Sequence, residues 1–184
     1  FRRVLFRSGV EHADAHLYAD RLVVLTPQAE TLTACTDHAR ALWSAVGARV
    51  EIMTAPAHDA AFAAVSHLPH VLAYAYMKGL MSQADGPEFL RLAGPGFRDF
   101  SRIAGSDPTV WRDILLSNSH AVLQQVAAFK DGLQAFESWI REGDGAALEQ
   151  AIANVAHERR RWKLSAHESS HASAQDAASP DAPE

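Results

Sequence analysis

The 184-residue sequence contains a single cysteine, Cys35. One thiol excludes a disulfide framework and a zinc site built on several thiolates. No apolar run is long enough to span a bilayer, so no membrane association is expected. An excess of basic residues is also missing. Lys and Arg number 17 against 22 Asp and Glu, a net charge of −5, which argues against a general nucleic-acid binder. Several chemical motifs are absent. No G-x-G-x-x-G follows a strand, and there is no Walker loop, nucleophile elbow or H-E-x-x-H. Gly94-Pro95-Gly96 has two glycines at the right spacing. It lies between helical segments, however, and Pro95 lacks the N–H that a phosphate would need, so it is not a dinucleotide fingerprint.

Apolar residues make up 48% of the chain, aromatic residues 8% and charged residues 21%. That balance is globular, and the length fits one domain or one domain with part of another. The two ends differ from the middle. Phe1 to Ser8 is short, basic and apolar, without the apolar core of a secretory signal. It reads as a non-native scar, with an ordinary first strand as the alternative. Residues 165–184 lack large apolar side chains and are expected to form a disordered tail. His167 and His171 stand i, i+4 within it, and solvated histidines are the expectation there rather than metal ligands.

Leu22-Val23-Val24-Leu25, closed by Thr26-Pro27, reads as a buried strand. Residues 30–46 carry Leu32, Cys35, Ala39, Leu42, Trp43 and Val46 at helical spacing, and Gly47 stops that helix. Residues 48–53 form a second strand-like run ended by Pro56. Strand, helix, strand is a βαβ unit expected in a parallel sheet, and it cannot stand without covered faces. Beyond Pro56 the pattern is helical. Residues 58–82 are apolar nearly all round, which predicts a helix buried on every face, part of its cover coming from a partner chain. Pro69 predicts a kink, because it removes an N–H and crowds the Val65 carbonyl. Residues 97–104 predict a short helix. Ser106-Asp107-Pro108 then starts one long amphipathic helix carrying Trp111, Ile114, Val122, Phe129, Leu133 and Ile140, which Gly143-Asp144-Gly145 ends. A last helix, residues 146–162, turns basic at Arg159-Arg160-Arg161. His12 and His16 stand i, i+4 on an expected polar helix at the surface.

The polar residues inside this apolar pattern are the informative ones. Ser66, His67 and His70 surround Pro69, with Ser66 and His70 on one helical face. They are either satisfied core groups or the wall of a pocket opened by the kink. Arg98 and Arg102 are also i, i+4, which places two cations together. An anion between them would explain this, since the guanidinium fork matches a carboxylate. An Asp99–Arg102 pair on a solvated surface explains it equally well. Trp111 either walls a pocket or belongs to the core. His58-Asp59 is expected at the opening of the buried helix, with Asp59 favouring its positive end and His58 a local cap.

Ser66-His67-Leu68-Pro69-His70, preceded by His58-Asp59, and Gly96-Phe97-Arg98-Asp99-Phe100-Ser101-Arg102-Ile103-Ala104, followed by Ser106-Asp107-Pro108 and Trp111-Arg112-Asp113-Ile114, together resemble the prephenate dehydrogenase family. The likeness spans roughly residues 9–140 in the expected motif order. It implies a two-domain enzyme in which a Rossmann domain binds NAD or NADP and an all-helical domain dimerises and completes the active site. The implied reaction is oxidative decarboxylation of prephenate or arogenate in tyrosine biosynthesis. Carried over by motif, Arg102 matches the arginine holding the ring carboxylate. His70 matches a ligand-bonding histidine, with Ser66 beside it. Arg98 matches a basic position near the pocket, while Gly96 and Trp111 match positions lining the substrate and tyrosine site. The family's glycine-rich fingerprint and its proton-accepting histidine have no match here, and Pro95 stands where the family tends to have glycine.

The resulting expectation is a mostly α chain, an all-helical dimerisation domain preceded by a small α/β remnant of a Rossmann domain. Residues 9–56 are the end of the nucleotide-binding domain and residues 57–164 the helical, substrate-binding domain. The chain reads as truncated and inactive alone, with no catalytic base, no metal and no cofactor of its own. The implied protein is a cytoplasmic homodimer that binds prephenate or arogenate, with tyrosine as a potential feedback inhibitor. The alternative is a non-catalytic helical dimer that binds tyrosine as a regulatory module.

Overall fold

The computed structural model describes residue 10 and residues 13–162. The sequence expectations for residues 1–8, His12, His167, His171 and the rest of the tail lie outside the described residues. The chain divides into two compact units. Residues 55–144 form one, and the described residues on either side form the other.

The flanking unit holds strand β1 (Leu22–Leu25), helix α1 (Thr33–Ala45) and strand β2 (Arg49–Ile52). The strands pair in parallel, Leu22 opposite Arg49 and Leu25 opposite Ile52. Their β-branched residues favour the extended backbone, and α1 supplies the crossover that parallel pairing requires. Gly47 reverses the chain after α1 at φ +86°, a left-handed conformation that side-chain-bearing residues resist. A Cβ there would also stand 3.3 Å from the Ala19 Cα. The Asp20 N–H donates to the Gly47 carbonyl at 2.8 Å, and the edge of Tyr18 packs on Trp43 with centroids 5.0 Å apart. His16 lies in turns rather than on the expected helix, its N–H held by the Asp14 carboxylate at 2.8 Å. Helix α8 (Gly145–Arg161) belongs to this unit and ends in the expected basic turn.

The helical unit opens with α2 (Ala55–Phe62), which passes through a π-helical turn (Ala63–His67) into α3 (Leu68–Met81). The distortion expected at Pro69 therefore takes the form of a π turn, with Pro69 in the first turn of the helix that follows. Pro69 has no N–H to return to the preceding turn, so the ladder yields where the π turn forms. His58 and Asp59 sit in the middle of α2 and do not cap it. Short helices α4 (Gly86–Arg91) and α5 (Pro95–Ser101) follow, the latter running into a 3-10 turn (Arg102–Gly105). Gly86 approaches the Leu80 carbonyl so closely that a Cβ would lie 2.5 Å from it.

The single long helix expected after Pro108 is instead two, α6 (Pro108–Ser117) and α7 (Ser119–Glu142), divided at Asn118. Ser117, Asn118 and Ser119 can each bond nearby backbone groups and so compete with the helical ladder. Gly143 closes α7 at φ +68°. The expected burial of the 58–82 segment is not met within one chain. Only Ala63 and Ala73 are buried in it, while Val65 is 75% exposed. Along the expected α6–α7 stripe Val122 is buried and Trp111 and Ile114 are half-buried, whereas Leu133 and Ile140 are more than half exposed, as are Leu116 and Leu123 off that stripe. No helix among the described residues is long and apolar enough to cross a membrane.

Candidate functional site

The centre of the helical unit is an imidazole–indole cluster. The His70 ring stacks on Trp111 with centroids 3.4 Å apart and planes 20° apart. His67 meets the same indole edge-on at 6.2 Å. Trp111 is delivered by the first turn of α6, whose start is fixed by Asp107. That carboxylate accepts the Thr109 and Val110 N–H groups, each at 2.9 Å, and Pro108 takes the first helical position. The sequence motif Ser106-Asp107-Pro108 thus fixes where the indole stands.

Ser66 and His70 meet as their spacing requires, though not through the serine hydroxyl. His70 Nδ1 lies 2.9 Å from the Ser66 carbonyl. A carbonyl only accepts, so Nδ1 carries the proton and Nε2 presents a lone pair. Beside this cluster lies a cavity of about 450 Å³ bordered by Tyr74, Ala104, Ser106, Trp111, Arg112 and Leu115. The Tyr74 hydroxyl is buried without a hydrogen-bond partner.

His67 is held differently. Asn118, from the α6–α7 break, places its Nδ2 2.8 Å from the Asp59 carbonyl and 3.2 Å from His67 Nδ1. Burial pushes the His67 pKa down, and the neighbouring His58 and His70 push it the same way, while Asp59 opposes them. His58 is bonded to Asp59 at 3.0 Å and stacks on Phe62. Asn118 is a site residue that the sequence reading missed. Its signal was the polar Ser117-Asn118-Ser119 run inside an apolar helical pattern.

The arginines belong to α5 and to the 3-10 turn that follows it. Arg98 pairs with its neighbour Asp99, Nε to Oδ1 at 3.1 Å, so Asp99 does not pair with Arg102. Arg102 begins the 3-10 turn, is exposed and has no hydrogen bond or ion pair among the described residues. Gly96 lies in the first turn of α5, exposed, with open space where a Cβ would be. No hydrogen bond or ion pair joins Arg98, Arg102 or Gly96 to the His70–Trp111 cluster. Helix α5 is tied to α3 through Tyr76, whose ring contacts Phe97 at 5.8 Å and Phe100 at 5.4 Å.

The β1–α1 turn is not a dinucleotide cradle. Residues 26–32, joining β1 to α1, contain no glycine, and Pro27 removes a donor. The cavity at that turn holds about 220 Å³ and is lined by Thr26, Pro27, Thr31 and Cys35 among others. No group of three or more potential metal ligands occurs among the described residues.

Residues 54–154 match the family model "Prephenate dehydrogenase, dimerization domain". The chain is 34% identical to the cyclohexadienyl dehydrogenase of Zymomonas mobilis over 77% of its own length and 49% of that protein. Among solved structures it is similar to the prephenate dehydrogenase of A. aeolicus in complex with hydroxyphenyl propionate and NAD+. The TM-score is 0.78 at 34% identity, over 86% of this chain and 56% of that one. It is also similar to the Synechocystis arogenate dehydrogenase, with a TM-score of 0.75 at 25% identity, over 84% of this chain and 57% of that one. The chain spans about half the length of these relatives. With the family model covering more than half of it, the chain belongs to the prephenate dehydrogenase family.

Proposed function

We propose that this chain carries the substrate-binding and dimerising part of a prephenate or arogenate dehydrogenase of tyrosine biosynthesis. The observation that carries the reading is the His70–Trp111 stack with its fixed His70 ring. It supplies a flat aromatic wall and an imidazole of set orientation, which suits a cyclic, oxygen-bearing ligand. Arg102, exposed and unpaired, is the side chain we assign to the substrate's ring carboxylate, and Arg98 stands one helical turn before it. Ser66, Gly96 and Trp111 complete the proposed substrate lining.

The chemistry of the family oxidises its substrate with NAD or NADP. The β1–α1 turn offers no glycine-rich cradle for that cofactor, and the role proposed for this chain's residues is to bind and orient the substrate. On α7 the exposed Leu123, Leu133 and Ile140 stand ten and seven residues apart, close to three and two helical turns. A second copy of the chain is the proposed cover, giving a homodimer.

Calorimetry on the chain with prephenate, arogenate, hydroxyphenyl propionate and tyrosine tests the reading. Prephenate or arogenate is expected to bind, and Arg102→Ala to weaken that binding by about 2–5 kcal/mol, the cost of removing one member of a desolvated charge pair. Equal affinity in the variant overturns the assignment of Arg102. Binding of tyrosine alone favours the regulatory alternative.

A further inference from the structure

Three contacts determine where the protons lie in the histidine cluster. The Asp59 carbonyl 2.8 Å from Asn118 Nδ2 can only accept, so it fixes the identity of that atom as the amide nitrogen. The same NH₂ group faces His67 Nδ1 at 3.2 Å with its second hydrogen. A protonated Nδ1 would set one N–H against another. His67 Nδ1 must therefore be the acceptor, and the proton of the neutral ring lies on Nε2. His70 is held in the opposite state, because its Nδ1 faces the Ser66 carbonyl and must donate.

We infer that Asn118 is a positioning residue that holds His67 as the neutral, Nε2-protonated imidazole, so that His67 and His70 present a fixed donor and a fixed acceptor on either side of Pro69. The amide links α2 to the α6–α7 break and reaches the ring through one NH₂ group, so a single side chain sets both the placement of His67 and its tautomer. The titratable groups nearby act on balance against a charged His67 ring. On α2, His58 opposes a positive charge on His67 and Asp59 partly favours one, while on α3 His70 opposes it. His120, at the start of α7, is bonded to Gln124 at 3.2 Å. A neutral donor of this kind suits a carbonyl or carboxylate oxygen. Only that ligand assignment rests on the function proposed above; the tautomer does not.

Nitrogen and carbon NMR of the histidine rings in the full chain, without ligand, tests this. The wild-type His67 ring is expected to show the Nε2–H tautomer and His70 the Nδ1–H tautomer. Asn118→Asp replaces the donor with an acceptor and is expected to move the His67 proton to Nδ1 and shift its titration upward. Asn118→Ala is expected to give a mixture of tautomers at His67 and leave His70 as it was. An Nδ1–H tautomer at His67 in the wild-type chain overturns the inference whatever the variants do. So does an unchanged His67 titration in a folded Asn118→Asp variant. Because no ligand is used, these outcomes are separate from any failure of prephenate or arogenate to bind.

Discussion

His70 lies face to face with Trp111, its ring plane only 20° from that of the indole, while its Nδ1 is tied to the Ser66 carbonyl. The ring is thus fixed by one contact across the unit and by another within its own chain segment. A double-mutant cycle with His70→Ala and Trp111→Ala should return a coupling of about 0.5–1.5 kcal/mol, the range for paired rings beyond simple burial. Urea unfolding of the four proteins of the cycle measures it. Coupling near zero would mean that the stack contributes nothing to placing His70.

The position of Trp111 depends on the cap one turn earlier. Asp107 satisfies two of the N–H groups that open α6. Asp107→Ala should cost about 1 kcal/mol, whereas Asp107→Asn, which keeps an accepting oxygen, should recover most of it. Thermal unfolding followed by circular dichroism distinguishes the two.

These local signals explain how much of the fold could be read in advance. Asp107-Pro108 announced a helix start because capping depends only on neighbouring residues. The parallel pairing of Leu22–Leu25 with Arg49–Ile52 followed from two apolar runs separated by a helical period. The break at Asn118 was hidden because apolar residues before and after it still fall at helical spacing, and a one-residue interruption barely disturbs that count. The π turn was hidden for a similar reason: Pro69 signals that the ladder must yield but does not specify how. At the site, Ser66 and His70 came together as their i, i+4 spacing suggested, while the stacking of Trp111 on His70 is a long-range contact that no local spacing specifies. The alternative of an Asp99–Arg102 pair was not met, because Asp99 pairs with its neighbour Arg98 instead.

His67 gives the stability of the chain a pH dependence of known sign. Its pKa in the folded chain lies below the ordinary 6.5, chiefly because burial disfavours the charged ring. As pH falls through 6.5, the unfolded chain takes up a proton at this residue before the folded chain does. The contribution of His67 is therefore fully present above 6.5 and is lost as pH falls through its lowered value. His67→Gln should remove this part of the slope, so the difference in unfolding free energy between wild type and variant should grow as pH rises through that window. A constant difference across the window would contradict the burial of the neutral ring.

Tyr74 offers a test in which removing a polar group is expected to be harmless. Its hydroxyl is buried beside the cavity next to Trp111 and has no hydrogen-bond partner. An unpaired buried hydroxyl has lost its water without a replacement, at a cost of about 1–3 kcal/mol. Tyr74→Phe keeps the ring, and with it the tilted contact to His70 at 6.3 Å, while deleting the unpaired group. The variant should be as stable as the wild type or more so by about 1 kcal/mol, seen as an equal or higher Tm. A clear loss of stability would instead place an ordered water or a ligand group on that hydroxyl. The cavity would then be a polar subsite rather than a packing gap.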